Sequence, residues 1–181
     1  MSQERPAGAA VGLAPGELRY LILAAQREGN RVYARLLTDT GLTPSQAEIV
    51  LVLHDYGPLS LRDLGGMIVC EAGSPSRVVD ALVRRGLVER QADPRDRRAV
   101  LLRLTARAEP LVPRLREVEG TMDEMTDKLL DKEQSAVVSG GLRGFLRGTR
   151  EGEALERRFA AARVDPRAQP SPSADDTPSM P

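Results

Sequence analysis

Residues 74–104 read SPSRVVDALVRRGLVERQADPRDRRAVLLRL, and this stretch decides the fold. Its first half predicts a helix that starts at residues 73–76 and ends at Gly86, with an apolar stripe of Val78, Val79, Leu82 and Val83. Its second half holds two short β-type runs, 87–90 and 100–104, on either side of a polar tip rich in arginine. The pattern therefore predicts a helix followed by a β-hairpin.

Two further helix starts precede this stretch. Thr43-Pro44-Ser45-Gln46 is suited to a capping box with proline in the first turn, and its helix ends before Gly57-Pro58. Ser60 with Asp63 starts a short helix that contains Gly65-Gly66, two poor helix formers that close packing against a neighbour would explain. Three short helices followed by a charged hairpin predict a winged helix-turn-helix.

Long helices are predicted on both sides of this unit. The first covers 16 to about 39, with Gly29 as a point of interruption, and two more cover about 106–130 and 132–162. Their apolar residues exceed what a small winged helix needs for its own core; they include Leu18, Leu21, Leu36, Leu129, Leu130, Val137, Val138, Leu142, Phe145, Leu146 and Leu155. We infer an isologous homodimer built from these helices, against the alternative that they cover the domain in a monomer.

Composition sets the class of protein. The 181 residues fit one domain, 15–163, with a DNA-binding lobe at about 42–105, dimerisation helices at 16–39 and 106–163, and disordered tails at 1–14 and 164–181. Aromatic residues make up 3% and hydrophobic residues 41%, which favours a mostly α fold with a small β-hairpin wing, an α+β class, over an all-β fold. No apolar run approaches the roughly 20 residues of a membrane span, so we expect a cytoplasmic protein.

Charge is balanced overall and uneven locally. The chain has 26 basic and 26 acidic residues, yet residues 77–103 hold eight arginines and four acids. A single cysteine, Cys70, and a single histidine, His54, exclude an internal disulfide and a Cys/His zinc site. We predict no metal and no cofactor. The sequence has neither a Gly-rich phosphate-binding loop nor an evident pair of carboxylates, so it gives no support to an enzyme.

The chain resembles the multiple antibiotic resistance regulator (MarR) family across about residues 18–159. The match is densest at residues 42–46, 57–64, 85–90 and 93–105, and Pro75 departs from the aliphatic residue usual in the family. In the family, the acid of an Asp-x-Arg pattern steadies the wing while arginines reach DNA. Two such patterns, Asp93-Pro94-Arg95 and Asp96-Arg97-Arg98, stand in this chain, so the resemblance implies that Arg95, Arg97 and Arg98 contact DNA and that Asp93 and Asp96 orient them.

Residues of the helix at 74–85 complete the predicted DNA site. Ser74, Ser76, Arg77 and Asp80 lie off the apolar stripe and are expected to face DNA. Arg77 is the base-reading candidate because a guanidinium makes a bidentate contact to guanine. Arg84 suits a backbone phosphate or plain surface solubility. The expected partner is double-stranded DNA with a pseudo-palindromic operator.

The resemblance also implies control by a small-molecule effector bound between the dimer helices and the DNA-binding lobe. Tyr20, Tyr33, His54 and Tyr56 are candidates to line that pocket, although packed or exposed residues without such a role are common. Cys70 is a candidate thiol sensor of oxidants, with a buried, inert cysteine as the favoured interpretation.

The leading hypothesis is a homodimeric repressor released by a ligand. The alternatives are a winged-helix protein-interaction module without DNA binding and a redox regulator through Cys70.

Overall fold

The computed structural model describes residues 14–69, 74–94, 96 and 99–164. Within them the chain is mostly helical with a small antiparallel sheet, as the sequence predicts. The helices are α1 Glu17–Leu36, α2 Pro44–Tyr56, α3 Leu61–Gly65, α4 Pro75–Arg84, α5 Val112–Leu129, α6 Lys132–Leu146 and α7 Arg150–Val164. The strands are β1 Leu59–Ser60, β2 Val88–Ala92 and β3 Val100–Leu104, and 3-10 turns cover Thr38–Thr40 and Glu109–Leu111. Apart from residues 14 and 164, the predicted tails lie outside the described residues.

Local side-chain caps set the first helices of the winged-helix lobe (residues 42–105). Thr43 Oγ1 accepts a hydrogen bond from the backbone N–H of Gln46 at 3.3 Å, and the Gln46 side chain accepts one from the Thr43 N–H at 3.1 Å. This capping box and Pro44 start α2 as predicted. Ser60 Oγ accepts from the Asp63 N–H at 3.1 Å and starts α3 in the same way. Both predicted helix starts are confirmed.

The third helix of the lobe, α4, packs through a narrow stripe. Val79 and Leu82 are fully buried, and Val78 and Val83 pack beside them, half-buried. The helix begins with Pro75, as predicted, and ends before Gly86. Because its buried stripe is narrow, α4 leaves a broad polar side outside the core.

The sheet has the order β1-β3-β2, with every neighbouring pair antiparallel. In the hairpin, β2 runs two residues beyond the predicted end at 90, and Ala92 pairs with Val100. The polar tip is correspondingly shorter than predicted. Strand β1 was not predicted, because two residues are too few to show an alternation of apolar and polar side chains.

Residues 112–164 form three helices and not the two predicted. Residues 106–111 form a turn before α5 begins at Val112, and the segment predicted as one helix from 132 to 162 divides into α6 and α7. The break has a local cause: Gly148 adopts a left-handed φ of 73°, and Thr149 Oγ1 accepts from the Gly152 N–H at 3.1 Å. A new helix start therefore interrupts the apolar periodicity. Gly29, by contrast, does not interrupt α1.

The hydrophobic core lies in the winged-helix lobe and against the adjoining ends of α1 and α5. Its centre is α2, where Ala47 and residues 49–53 are buried. Leu37, just after α1, and Leu115 of α5 close the core from outside the lobe. No helix in the described ranges is long and apolar enough to cross a membrane.

Candidate nucleic-acid interface

The polar side of α4 presents two basic residues. Arg77 and Arg84 are seven residues apart, close to two turns of helix, and both are exposed on the side opposite Val79 and Leu82. Ser74 is exposed and Ser76 half-buried at the start of the helix, where their hydroxyl oxygens lie 3.1 Å apart. An α-helix with such a face fits the major groove of B-DNA.

An ion pair joins α4 to the wing, which is formed by β2, β3 and the loop 93–99. Arg90 Nη2 of β2 lies 2.5 Å from Asp80 Oδ1 of α4, and both side chains are 44% exposed. Asp80, which was expected to face DNA, is therefore neutralised by a strand residue. No periodicity links positions 80 and 90, because one belongs to a helix and the other to a strand, so the pair is not visible in the sequence.

Backbone hydrogen bonds close the wing loop. The Asp93 N–H donates to the Ala99 carbonyl at 3.0 Å, and the Ala99 N–H donates to the Asp96 carbonyl at 2.9 Å. Arg95, Arg97 and Arg98, the residues predicted to reach DNA from this loop, lie outside the described residues. The orientation of these arginines by Asp93 and Asp96 accordingly stays a prediction.

Part of the predicted basic cluster is engaged within the protein. Arg85 Nη1 donates to the Gly41 carbonyl at 2.9 Å and lies 3.3 Å from Gln46 Oε1, which ties the end of α4 to the start of α2. Arg103 Nε lies 3.1 Å from Glu89 across the hairpin. Some guanidinium groups of the cluster therefore stabilise the lobe through internal contacts, and others are exposed to solvent.

The four residues predicted to line a ligand pocket lie in different surroundings. Tyr20 is 61% exposed on α1. Tyr33 packs against the core on the same helix, about 20 Å further along its axis at 1.5 Å per residue. Tyr56 also packs against the core, and its hydroxyl donates to the Arg158 carbonyl at 3.2 Å. His54 is exposed at the end of α2. A shared ligand role for these residues stays a prediction.

A cleft separates α7 from α3 and the start of α4. Its volume is about 710 Å³, and Arg62 of α3 lines it together with Arg150 and Arg157 of α7. Glu153 is an acidic residue in the same wall. Arg157 already pairs with Glu153 at 3.2 Å, so among the described lining residues Arg62 and Arg150 supply the excess positive charge that suits an organic anion. Cys70, the predicted thiol sensor, lies outside the described residues.

Known proteins share both the sequence pattern and the fold. The MarR family model matches residues 42–100. The organic hydroperoxide resistance transcriptional regulator of Bacillus subtilis is 26% identical over 59% of this chain and 72% of its own length. Two uncharacterised HTH-type regulators of that species, YkoM and YcgE, are 32% and 34% identical. The chain spans 42% of YkoM and 62% of YcgE.

Solved structures agree on the fold. A mutant of MarR from E. coli complexed with operator DNA superimposes with a TM-score of 0.64 at 23% identity, over 71% of this chain and 93% of that one. Bordetella bronchiseptica BpsR, whose DNA binding is regulated by 6-hydroxynicotinic acid, gives a TM-score of 0.66 at 23% identity, over 76% and 99%. The polar face of α4 and the wing beside it thus lie in the part of this chain, residues 42–100, that matches the MarR family model, so the lobe is a MarR family domain.

Proposed function

We propose that this protein is a homodimeric, sequence-specific DNA-binding repressor that a small molecule releases from its operator. One observation carries the proposal: α4 turns Arg77 and Arg84 away from the core, and the Asp80–Arg90 pair holds the wing beside that helix. A helix for the wide groove and a hairpin for the narrow one are thereby fixed relative to each other. Such a regulator acts in the cytoplasm, where its operator is.

Each DNA-facing residue has a role set by its chemistry. Arg77, near the start of α4, makes a bidentate contact to a guanine, and Ser74 and Ser76 bind nearby phosphate or base edges. Arg84, two turns on, binds a backbone phosphate. Arg95, Arg97 and Arg98 enter the minor groove, where negative potential is concentrated, with Asp93 and Asp96 fixing their directions. The E. coli MarR mutant, which shares the fold, is complexed with operator DNA, and this supports DNA binding by the lobe.

The exposed apolar residues of the outer helices (α1, α5, α6 and α7) support the homodimer. They are Leu18, Tyr20, Leu21, Ile22 and Leu23 of α1, Met125 and Leu129 of α5, Val137, Val138, Leu142 and Phe145 of α6, and Phe159 of α7. A surface this apolar is characteristic of an interface. An isologous pair places two copies of α4 on half-sites about 34 Å apart, which is one turn of DNA and requires a pseudo-palindromic operator.

The cleft beside α7 supports release by an effector. It lies between α7 and the lobe that carries α4, so a bound molecule touches both parts. The guanidinium groups of Arg62 and Arg150 favour a small organic anion. BpsR, whose DNA binding is regulated by 6-hydroxynicotinic acid, shares the fold and supports this form of control.

A mobility-shift experiment tests DNA binding. Duplexes tiled across the DNA upstream of the protein's own gene are titrated with the full chain at several salt concentrations. We expect one duplex to bind far more tightly than the rest, and the change of Arg97 and Arg98 together to alanine to weaken binding and flatten its dependence on salt. Arg114→Gln, on α5, is the matched control and is expected to leave binding unchanged.

The same titration separates the leading proposal from its alternative. A chain that binds no duplex at low ionic strength is a winged-helix protein-interaction module and not a DNA-binding regulator. A chain that binds DNA equally well after loss of Arg97 and Arg98 does not use its wing.

A further inference from the structure

A charged side chain is buried in the middle of the winged-helix lobe. Glu48 of α2 is only 5% exposed, and a carboxylate there is strongly unfavourable unless donors surround it. Its Oε1 atom accepts from Arg158 Nη1 of α7 at 2.8 Å and from the backbone N–H of Val69 at 2.9 Å. One oxygen therefore joins α7 to the chain that leads from α3 toward α4.

Glu48 belongs to a charge network that spans three helices. Arg158 Nη2 lies 3.3 Å from Glu119 Oε1, and Glu119 Oε2 lies 2.7 Å from Arg116 Nη1. Arg116 Nη2 in turn pairs with Asp55, which lies seven residues after Glu48 on α2. Negative and positive charges alternate along the network, which connects α2 with α5 and α7. These five residues are called the charge network below.

The acidic partners of Arg116 in this network favour its charged form. Burial, the largest influence, works to lower the pKa of Arg116, but the hydrogen bond and charge of Asp55, followed by those of Glu119, raise it above its ordinary value. Through this guanidinium the network holds α5 against α2.

Gly65 and Gly66, four and three residues before Val69, lie close to arginines of α7. Arg150 Nη2 donates to the Gly65 carbonyl at 3.3 Å. A Cβ atom at Gly66 would collide with the guanidinium of Arg157. Together with Arg158, these arginines bring α7 against residues 65–69. A Cβ atom at Gly65 would make only ordinary contacts, and the Arg157 side chain beside Gly66 is flexible and exposed, so the predicted packing explanation of the glycine pair stays a prediction.

Stability alone does not account for such a network. Buried ion pairs often contribute no more to folding than apolar residues of the same volume, because the charges lose their hydration. Their geometry is restrictive, however, since each carboxylate oxygen requires its donors in fixed places. A buried network of this kind selects one arrangement of α7 relative to the lobe.

We propose that Glu48 and Arg158 are positioning residues for DNA binding. They hold Val69 at a fixed place relative to α7, and Gly65, four residues earlier, lies beside Pro75 at the start of α4. A shift of α7, such as one produced by an anion in the neighbouring cleft, then changes the position of α4. The DNA-binding part of this inference rests on the proposed function.

A double-mutant cycle with Glu48→Gln and Arg158→Met tests the proposal. Arg158→Met leaves a buried carboxylate without its cation, so the unfolding temperature falls. The double variant removes both charges, and the amide oxygen of the introduced glutamine still accepts the hydrogen bond from the Val69 N–H. We therefore expect the double variant to recover most of the wild-type unfolding temperature. We expect its affinity for the operator duplex to remain at least about fivefold below wild type, measured well below the unfolding transition. Affinity that recovers together with stability would overturn the positioning role.

Hydrogen exchange of the free protein provides a readout that needs no DNA. We expect Arg158→Met to accelerate exchange of the Val69 amide, and unchanged exchange would overturn the coupling between α7 and Val69. Arg114→Met is the matched control, because Arg114 pairs with Asp39 at 2.7 Å and has no contact with residues 65–69 among the contacts described. A wild-type chain that binds no duplex overturns the proposed function, whereas the exchange result decides the coupling by itself.

Discussion

The winged-helix lobe and the outer helices use similar apolar residues in opposite ways. In α2, eight of 13 residues are buried, whereas α1 with 20 residues and α6 with 15, all described by the structure, have none. Both of the latter helices carry leucine and valine or isoleucine on their surfaces. The core of the lobe is therefore completed within one chain, by Leu37 and the start of α5, whereas the outer helices present an apolar surface that a second subunit is suited to cover.

The largest effect is expected where the outer helices are most apolar. Phe145 of α6 is 74% exposed, and its burial between two subunits would contribute about 3–6 kcal/mol for the two copies together. We expect Phe145→Glu to convert a dimer into monomers at micromolar concentration, as measured by sedimentation. Lys132→Gln, on the first turn of the same helix, controls for the same change of one negative unit in charge. Unchanged dimerisation would place the interface elsewhere.

Replacing one leucine by alanine in the winged-helix lobe and one in the outer helices tests how each region uses its apolar residues. Leu82→Ala removes a fully buried side chain of α4 and is expected to lower the free energy of unfolding by about 2–5 kcal/mol. Leu142→Ala removes an exposed one of α6 and is expected to cost less than about 0.5 kcal/mol in dilute monomer. Urea unfolding at low protein concentration measures both. Equal losses would show that α6 is part of the core of the monomer.

The sequence predicted the lobe better than its surroundings, for a physical reason. The starts of α2 and α3 depend on residues three positions apart, so Thr43 with Gln46 and Ser60 with Asp63 revealed them. The division between α6 and α7 depends on the backbone of Gly148, in a stretch whose apolar periodicity continues on both sides. Periodicity reports which side of a helix is apolar and does not report where a helix is interrupted.

The candidate DNA site was predictable in its types of residue and not in its pairings. Spacing alone placed Arg77 and Arg84 on the polar side of α4. The Asp80–Arg90 pair and the contact of Glu48 with Arg158 join residues from different elements, the latter 110 positions apart. Such pairs depend on tertiary geometry, which no local pattern encodes.

Within the lobe, the two exposed arginines of α4 are expected to act differently. Arg77→Gln should cost about 1–3 kcal/mol on the operator and much less on unrelated DNA, because it removes a contact to a base. Arg84→Gln should weaken binding to all sequences alike and reduce the salt slope by about 0.9, because it removes a contact to a phosphate. Fluorescence anisotropy with operator and scrambled duplexes measures both. Equal effects of Arg77→Gln on the two duplexes would exclude base reading by this residue.

The smallest effects come from releasing one arginine in each region. Asp80→Asn removes the carboxylate that pairs with Arg90 beside α4, and Asp39→Asn removes one of the two carboxylates that pair with Arg114 on α5. Because the Asp80–Arg90 pair is well exposed, its loss should change the free energy of unfolding by only about 0.2–1 kcal/mol. A freed Arg90 adds a cation close to DNA, so affinity for any duplex should rise at low salt, with a salt slope steeper by up to about 0.9. Preference for the operator should fall, because the wing is no longer tied to α4.

Asp39→Asn makes the same chemical change among the outer helices and is expected to leave DNA binding unchanged. The hydrogen bond from Arg114 lowers the pKa of Asp39, so the pair contributes stability above the ordinary range of a carboxylate and loses it as the pH falls through the lowered value. The variant should therefore be slightly less stable than wild type at neutral pH, and the difference in stability should disappear as the pH falls through the lowered pKa of Asp39. If Asp39→Asn also steepened the salt dependence of DNA binding, the outer helices would contact DNA, and the separation of a DNA-reading lobe from a subunit-pairing region would be wrong.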